Sequence, residues 1–380
     1  MRMLVLGAGL QGSACAYDLL QNPDVKQVRL VDVHSGHLPD FLAPYSGNRL
    51  IATPLDVRDR DATLALLREC DVAMSAIPYY FNLNLAALAV EAGTNFSDLG
   101  GNTEIVFEQK KLHSEAVKKG ISVIPDCGLA PGMVNILAEY AISLLDSTES
   151  VRIFVGGIPE NPEPPLNYQI VYSLEGVLDY YTTLSWVLRD GKRTLVKALS
   201  EIESVPFPDP VGELEAFHTA GGLSTMAFRY EGNIQTMEYK TLRYPGHAKI
   251  MEAIRDLGLL DKEPVDVKGT RVAPRDVVVS VIGPRLTKPG APDIVVLRVI
   301  VKGTKEGAAR SIGFELVDHF DRAREISAME RTTGYSLSIT GQMQAKGEIK
   351  KAGVHTPDEC VPARKYVDEL AKRGVVIREL

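Results

Sequence analysis

The sequence has few of the features that mark disulfide-bonded, metal-binding and membrane-spanning proteins. Its four cysteines, Cys15, Cys70, Cys127 and Cys360, include no CxxC pair, which favours reduced thiols over a disulfide frame or a zinc site. Its seven histidines include no HExxH motif, so we expect no metal. No apolar run approaches the roughly 18 residues that are needed to cross a bilayer, and we therefore expect no membrane span.

Positive charge is also in the minority. With 42 Lys and Arg against 49 Asp and Glu, the formal net charge is −7, which argues against a nucleic-acid partner and against a polybasic membrane anchor. Residues 3–6 already have the composition of a core strand, so we expect no signal peptide. A length of 380 residues with 45% hydrophobic composition is typical of a soluble protein of two domains. We expect it in the cytoplasm.

Short apolar runs alternate with amphipathic stretches over residues 1–125. This rhythm is typical of a parallel sheet covered on both faces by helices, so we predict an α/β dinucleotide-binding domain of the Rossmann type over 1–125. The predicted strands are 3–7, 27–32, 50–55, 71–77, 94–98 and 121–125, and the predicted helices are 11–21, 59–69, 82–92 and 104–119.

The rhythm changes after residue 125. Residues 156–166 are rich in Gly and Pro, which predicts irregular structure. Alternating, β-branched stretches then predict a largely antiparallel sheet in a second, α+β substrate domain over 126–325. The predicted strands are 167–172, 228–236, 276–282 and 293–301, and two helices, 328–347 and 361–374, are predicted in the tail 326–380.

A glycine motif lies between the first predicted strand and the first predicted helix. It reads Gly7-Ala8-Gly9-Leu10-Gln11-Gly12, a GxGxxG in the context that a dinucleotide fingerprint requires. Gly7 permits the tight turn, Gly9 lets the backbone approach the pyrophosphate, and Gly12 lets the helix pack closely on the strand. We predict that residues 7–12 bind the cofactor pyrophosphate.

Further cofactor contacts are predicted at the carboxyl ends of the next strands. Asp32 ends the second strand, where a carboxylate accepts hydrogen bonds from the adenosine ribose and repels a 2′-phosphate. Residues 33–36 include no arginine, so we predict NAD rather than NADP. The other predicted contacts are Asp56 and Val57 for the adenine and Ser75, Ala76, Ile77 and Pro78 for the nicotinamide ribose.

Several later motifs resemble those of the saccharopine dehydrogenase-like oxidoreductases, and within them most of all the lysine 6-dehydrogenases. The motifs are DCGLAPG at 126–132, YSLEG at 172–176, FHTAGG at 217–222, TLRYPGH at 241–247 and RTTG at 331–334. The resemblance covers nearly the whole chain. It implies a C-terminal tail that returns to the nucleotide domain, and hydride transfer between NAD(P) and a carbon that bears an amine.

One departure from the saccharopine-forming relatives concerns the substrate. They resemble S-P-R-G where this chain has Ser-Leu-Glu-Gly at 173–176. An arginine suits a substrate with an additional dicarboxylate arm, whereas Glu175 repels that arm and favours an ammonium. This difference indicates a substrate with fewer carboxylates, such as lysine.

Oxidation of an amine requires a base for the ammonium proton, and the candidates are acidic residues at strand ends. Asp98 and Asp126 each follow a predicted strand at the edge where the cofactor is expected, and His218 is a candidate proton relay. A helix cap for Asp98 and a structural role for His218 remain alternatives. Nothing in the sequence indicates a lowered pKa for the Cys127 thiol.

Arg243 and Thr219 are the candidates for the substrate carboxylate, because arginine grips a carboxylate with two parallel hydrogen bonds. We also count His247, Glu175, Cys127 and Gly128 among the substrate contacts. Alternatives are a surface salt bridge for Arg243 and a solvent-exposed helix cap for Glu175.

The resemblance and these residues together predict NAD-dependent oxidation of the terminal amine of L-lysine, with release of ammonia and cyclisation of the semialdehyde. A saccharopine reductase and a carboxynorspermidine synthase are alternatives of the same class. A redox sensor that binds NAD without turnover is an alternative of another class. The expected partners are a small amino acid and further copies of the chain in a homodimer or higher oligomer.

Overall fold

Strands and helices alternate along the first third of the chain, as predicted. The computed structural model describes residues 1–34, 36 and 38–380. The strands are β1 (Arg2–Leu6), β2 (Gln27–Asp32), β3 (Leu50–Pro54), β4 (Val72–Ser75), β5 (Asn95–Asp98) and β6 (Ser122–Ile124). The helices are α1 (Leu10–Gln21), α2 (Arg60–Arg68), α3 (Asn82–Ala92), α4 (Thr103–Lys110) and α5 (His113–Lys119), with 3-10 turns at Asp40–Tyr45 and Tyr79–Phe81.

These strands form a parallel sheet in the order β6-β5-β4-β1-β2-β3, which confirms the predicted Rossmann-like fold. The strands are buried because helices cover both faces, and their sequences are accordingly near-continuous in apolar residues. The strand order reverses between β1 and β4. In such sheets the crevice at this reversal, outside the carboxyl ends of the strands, is where ligands bind. The single helix predicted over 104–119 is two helices, α4 and α5.

The middle of the chain builds a second sheet. Its strands are β7 (Ser147–Pro159), β8 (Ser185–Arg189), β9 (Lys192–Val196), β10 (Glu203–Pro206), β11 (Glu213–His218), β12 (Thr236–Arg243), β15 (Asp293–Lys305) and β16 (Ala308–His319), and a separate hairpin contains β13 (Val265–Val267) and β14 (Thr270–Val272). The helices are α6 (Met133–Ser143), α7 (Leu174–Thr182), α8 (Met226–Arg229), α9 (His247–Asp256) and α10 (Pro274–Leu286). Only β12 and β7 pair in parallel within the described part of this sheet, so the predicted largely antiparallel sheet is confirmed.

Three predictions of local structure in this region are wrong. Residues 276–282 lie in α10 because Pro274 starts a helix and apolar side chains spaced by four, Val278 and Ile282, pack in one cluster with those of α7. Residues 228–236 form a short helix and a turn at Gly232 (φ +81°), and the strand begins only at Thr236. Residues 167–172 are not a strand.

The Gly- and Pro-rich segment 156–166 is also more regular than predicted, because β7 continues to Pro159. The glycines there serve close packing. A Cβ added at Gly157 would lie 2.4 Å from Cε of Met329.

The tail packs against both sheets. It contains α11 (Ala328–Ala345), β17 (Gly353–Val354), α12 (Pro357–Cys360), α13 (Ala363–Lys372) and β18 (Arg378–Glu379). β17 extends the first sheet beside β6, and β18 extends the second beside β16. A capping box of Ser327 and Glu330 starts α11.

The helix α11 joins the two halves of the fold. Its Ser338 donates a hydrogen bond to Asp18 of α1 at 2.6 Å, and Asn22 donates to Gln342 at 2.7 Å. One continuous cluster of buried apolar side chains runs from β1 through α11 to β15. The carboxyl ends of β1 and β4 are thereby held facing the second sheet. No helix of the described residues is long and apolar enough to cross a membrane.

Candidate active site

The glycine motif forms an open cradle at the start of α1. Gly7 has φ +104°, and a Cβ on Gly12 would lie 1.8 Å from the Gly7 carbonyl oxygen, so neither position admits a side chain. A Cβ on Gly9 would meet no protein atom within 4 Å. Gly9 caps α1 without any side-chain hydrogen bond, so the first N–H groups of the helix are left for a ligand. This arrangement fits a dinucleotide pyrophosphate.

We expect two substitutions in this cradle to have different effects. Gly9→Ala places a methyl group in space that the protein does not use, so Tm should stay unchanged while the Kd for the dinucleotide rises about tenfold or more, or about 1.4 kcal/mol. Gly12→Ala forces Gly7 to move and should lower stability by about 1–3 kcal/mol. Thermal melts and cofactor titrations check both. Unchanged cofactor affinity in Gly9→Ala would contradict the assigned pyrophosphate position.

The Asp32 carboxylate is held at the end of β2 by main-chain donors. It accepts N–H bonds from Ala8 at 2.8 Å and His34 at 2.9 Å, which fixes it beside the glycine loop. Ser35, also in the segment considered for cofactor choice, lies outside the described residues.

Asp56 is paired with Arg58, whose Nη2 lies 2.5 Å from Oδ2. Leu55 N donates to the Asp32 carbonyl at 3.0 Å, so the end of β3 lies beside Asp32. Arg58 follows three residues after Leu55. Arg58 lies outside residues 33–36, the segment from which NAD was predicted. Val57 is partly buried in the core beside α2.

The loop after β4 closes the other side of the cradle. Ala76 N donates to Leu6 O at 2.8 Å, and the Ala76 carbonyl lies 2.8 Å from where a Gly7 Cβ would stand. The Ser75 hydroxyl turns inward to Asn82 at 2.8 Å. Ala76 and Ile77 therefore pack against the glycine loop. The Ser75 side chain instead points away from it, towards Asn82.

Between the glycine loop and the second sheet lies a cavity of about 190 Å³, which we call the main cavity. Its walls come from the start of α1, the loops after β5 and β6, the inner face of the second sheet, α7 with the residues before it, and the start of α11. The lining residues include Gln11, Leu99, Gly100, Gly128, Tyr172, Tyr180, Thr219, Ala220, Tyr239, Thr241, Arg243 and Thr333. The structure thus brings the predicted Gln11, Gly128, Thr219 and Arg243 together.

Arg243 is the cation of this cavity. It is 3% exposed, its Nη1 donates to the Leu242 carbonyl at 2.8 Å, and its Nε has no hydrogen-bond partner. Among the described residues it makes no salt bridge with a carboxylate, and the ring of Tyr168 lies 4.9 Å from its Cζ. A buried charge requires a counter-charge, so this guanidinium fits an anionic group of a ligand.

Strand periodicity puts further polar groups beside Arg243. Tyr239, Thr241 and Arg243 alternate along β12, and all three line the cavity. The Thr241 hydroxyl lies 2.7 Å from that of Thr219. Tyr239 and Thr241 were not predicted as site residues, because the strand was predicted at 228–236. A strand placed eight residues later would have indicated both.

Asp126 does not itself line the main cavity; it lies directly behind Gly100 and Gly128, which do. It is 1% exposed with φ +63°, and its carboxylate accepts the Gly101 N–H at 3.0 Å and the Ser224 hydroxyl at 2.5 Å. A Cβ on Gly100 would lie 1.7 Å from Oδ1 of Asp126, so glycine is required there. Burial raises the pKa of Asp126 to about 6, although these two hydrogen bonds favour the carboxylate.

Asp98 lies one layer deeper. It is fully buried, accepts a hydrogen bond from Gln109 at 2.7 Å, and lies 3.4 Å from the Asp126 main-chain nitrogen. Its carbonyl accepts the Cys127 N–H at 2.7 Å. Burial raises its pKa to about 7. Asp98 does not line the cavity; it supports the turn that carries Asp126.

Four other predicted site residues are not brought to the cavity. Glu175 is exposed in the first turn of α7, where Ser173 caps the helix. Cys127 is 1% exposed and its Sγ contacts the Ile124 carbonyl at 3.1 Å. Burial raises the pKa of its thiol, which is the opposite of an activated nucleophile.

The two predicted histidines, His218 and His247, also lie away from the main cavity. In β11 and β12, His218 pairs with Lys240, and these residues alternate with the cavity-facing Thr241 and Arg243. His218 therefore faces the other side of the sheet, 3.1 Å from Glu201. With Glu238 these two form a cluster of metal-ligand spacing, but both carboxylates already form ion pairs with Arg189, at 2.8 and 2.7 Å.

His247 is buried behind Arg243. It lies 2.9 Å from the Tyr181 hydroxyl and 3.0 Å from the Leu166 carbonyl. Both ring nitrogens are thereby occupied. Burial lowers its pKa to about 3, so it stays neutral and serves packing.

Comparison with known proteins agrees with this architecture. Residues 3–124 match the saccharopine dehydrogenase NADP binding domain, and residues 128–375 match the saccharopine dehydrogenase C-terminal domain. The NADP(+), L-glutamate-forming saccharopine dehydrogenase of Saccharomyces cerevisiae is 26% identical over 75% of this chain and 64% of its own length. The chain thus spans less than two thirds of that relative.

Two further similarities concern the whole chain. The carboxynorspermidine synthase of Vibrio cholerae is 24% identical over 95% of this chain and 93% of its own length. The apo saccharopine dehydrogenase (L-Glu forming) structure from Saccharomyces cerevisiae superposes with a TM-score of 0.80 at 22% identity, covering 100% of this chain and 99% of that one. A homospermidine synthase from Legionella pneumophila in complex with NAD has a TM-score of 0.70 at 12% identity, with 100% and 91% covered.

These two structures share the fold. The two domain matches together run from residue 3 to residue 375, and the nucleotide cradle and the main cavity lie within that span. The chain belongs to the saccharopine dehydrogenase family of oxidoreductases, and its N-terminal part is the family's NAD(P)-binding domain.

Proposed function

We propose that the chain oxidises the terminal amine of L-lysine with NAD and releases ammonia. The observation that carries the proposal is Arg243, a buried cation without an acidic partner in the cavity next to the nucleotide cradle. Arg243 is the one cationic side chain among the described residues that line this cavity. One cation suits a substrate with one carboxylate.

The number of carboxylates separates the candidate substrates. Lysine has one carboxylate and two amines, whereas saccharopine has three carboxylates. Each carboxylate buried without a counter-charge is strongly unfavourable. Glu175 does not discriminate between these substrates, since its side chain is exposed to solvent. Arg243 is the residue that favours lysine.

The other requirements of amine oxidation would be met by groups in and next to the cavity. Arg243 would bind the substrate carboxylate, with the Thr219 and Thr241 hydroxyls beside it. Asp126 would take a proton from the ammonium, so that the nitrogen lone pair can assist loss of hydride. The bound nicotinamide supplies the hydride acceptor. A water then adds to the substrate imine, and ammonia leaves.

Reductive condensation is the second candidate. The full-length alignment with the carboxynorspermidine synthase favours it. Carboxynorspermidine, as its name states, carries one carboxylate, which Arg243 would also match. A redox sensor without turnover is less well supported, because such a protein has no need of a buried, unpaired arginine beside the cofactor.

One set of assays separates these functions. Purified protein is mixed with NAD or NADP and with lysine or saccharopine, and reduced cofactor is followed by absorbance. In the reverse direction, reduced cofactor is supplied with an aldehyde acid and a diamine. We expect lysine-dependent NADH formation with ammonia as product. Turnover of saccharopine, or only the condensation, would overturn the lysine assignment.

The choice between NAD and NADP depends on Asp32. Its carboxylate stands where a 2′-phosphate would be repelled, while Arg58 of the next strand end is held by Asp56. We expect Asp32→Ala to weaken NAD binding and to narrow the difference in Kd between NAD and NADP by about tenfold, or about 1.4 kcal/mol. Asp59→Ala, at the cap of α2, is the control. A wild-type preference for NADP would contradict the assignment.

A further inference from the structure

A second cavity, of about 230 Å³, lies on the other side of Tyr180 and Ala220, which line both cavities. We call it the outer cavity. It reaches the surface, since Glu104, Leu184 and Lys262 of its wall are exposed. The proposed substrate site therefore lies next to a route to solvent that the reaction described above does not use.

Asp126 stands between the two cavities. Both donors to its carboxylate, the Gly101 N–H and the Ser224 hydroxyl, belong to residues that line the outer cavity. The Asp126 residue is 1% exposed. A proton on Asp126 therefore has no direct contact with bulk water.

Amine oxidation releases a proton at every turnover. An ammonium, NAD and water become an aldehyde, ammonium ion and NADH, with one proton left over. If Asp126 is the base, that proton must leave a buried carboxyl before the next cycle. The stoichiometry therefore requires that one proton reach the solvent in each cycle.

Ser224 has the geometry of a relay. Its Oγ lies 2.5 Å from Oδ2 of Asp126, and it is held at φ +52° in the left-handed region, where serine is rare. Such strain persists where the surroundings impose it, often at functional sites. We propose that the Ser224 hydroxyl passes the proton of Asp126 to water in the outer cavity, an inference that rests on the proposed function.

The transfer is balanced. The Asp126 carboxyl gives its proton to the Ser224 oxygen, and the hydroxyl gives its own proton to a water of the outer cavity, so serine is unchanged. Other groups set the equilibrium at Asp126. Burial and the charge of Asp358 favour the protonated form, while Lys110 favours the carboxylate. Asp98 lies behind Asp126, and Tyr180 faces it from the cavity side.

The test uses the full chain with NAD and lysine. Ser224→Ala removes the hydroxyl, and Ser224→Gly removes it while relieving the left-handed strain, so the glycine variant should fold at least as well. We expect both to lose about tenfold or more in kcat. Imidazole, a small proton carrier, should restore kcat as its concentration rises at constant pH and ionic strength. Ser97→Ala is the control. It also removes a buried hydroxyl, but one without a hydrogen-bond partner, so its kcat should equal that of the wild type.

The outcomes are distinguishable. Slow variants that imidazole restores would support the relay, because a merely structural defect does not respond to a buffer. Unchanged kcat, or a loss that imidazole does not restore, would overturn the relay and leave the proposed function intact. Absence of lysine turnover by the wild type would instead overturn the proposed function, and the relay with it.

Discussion

Asp126→Asn should lower kcat for lysine oxidation by about 10²–10⁴-fold, the usual contribution of a general base. Asparagine has nearly the same shape but cannot accept the ammonium proton. The cofactor Kd should stay unchanged, since the glycine cradle is not altered. Initial rates and a cofactor titration measure both. Asp98→Asn is the matched control, and it should lose only a few-fold because Asp98 lies one layer deeper, behind the turn that carries Asp126.

The pH dependence provides an independent check. Asp126 acts as a base only when ionised, and burial raises its pKa to about 6. We therefore expect kcat/KM to rise about tenfold per pH unit below pH 6 and to level off above it. An Asp126→Asn variant with wild-type activity, or a pH profile without this limb, would remove Asp126 from the reaction.

Stability should change in the opposite direction from activity. Because the pKa of Asp126 is raised on folding, the native state binds the proton more tightly than the unfolded chain, and stability falls as the pH rises from about 4 to about 6. At pH 8 the ionised carboxylate is a net disadvantage, which asparagine removes. We therefore expect Asp126→Asn to have a Tm no lower than wild type at pH 8, so that lost activity is not lost folding.

Arg243→Met should lower kcat/KM for lysine by about 2–4 kcal/mol, or roughly 30–1000-fold. The substitution keeps most of the side-chain volume and removes the positive charge. Cadaverine, which is lysine without its carboxylate, should be a poor substrate for the wild type and equally poor for the variant. The difference between the two substrates, measured as a ratio of kcat/KM, isolates the carboxylate contact.

Arg298→Met is a matched control, since Arg298 is another largely buried arginine but is paired with Glu315. It should lower Tm, because it leaves a carboxylate without its partner. Arg243→Met should not lower Tm, because Arg243 has no acidic partner among the described residues. Equal turnover of lysine and cadaverine by the wild type would exclude Arg243 from substrate binding.

Much of the nucleotide domain could be predicted from the sequence because its determinants are local. Buried parallel strands require continuous apolar runs such as residues 3–6, and the tight turn into α1 requires glycine at positions 7 and 12. Each strand in this domain is followed by a helix or a 3-10 turn within ten residues of the chain. Local preference and tertiary packing agree in this part of the chain, so each element could be assigned from a few adjacent residues.

In the second domain, packing overrode local preference. The run Asp-Val-Val-Val-Ser-Val-Ile at 276–282 has the composition of a strand, yet it is helical because Val278 and Ile282 pack in one cluster with α7. The position of β12 was also predicted wrongly, at 228–236 instead of Thr236–Arg243. The position of a strand decides which of its side chains face the cavity. Tyr239 and Thr241 were missed for that reason.

The candidate site itself was decided by the tertiary structure. Arg243 was predicted from residue type, but only the pairing of β11 with β12 turns it and Thr241 inward and turns His218 to the opposite face. Glu175 was predicted as a substrate contact, and the packing of α7 leaves it in solvent. Asp126 meets Ser224, 98 residues away, and no local pattern records such a contact. The sequence alone determined which chemical groups are available and where the cofactor cradle lies, because these depend on residues close together in the chain. Which groups share one cavity depends on long-range packing of the two sheets around α11.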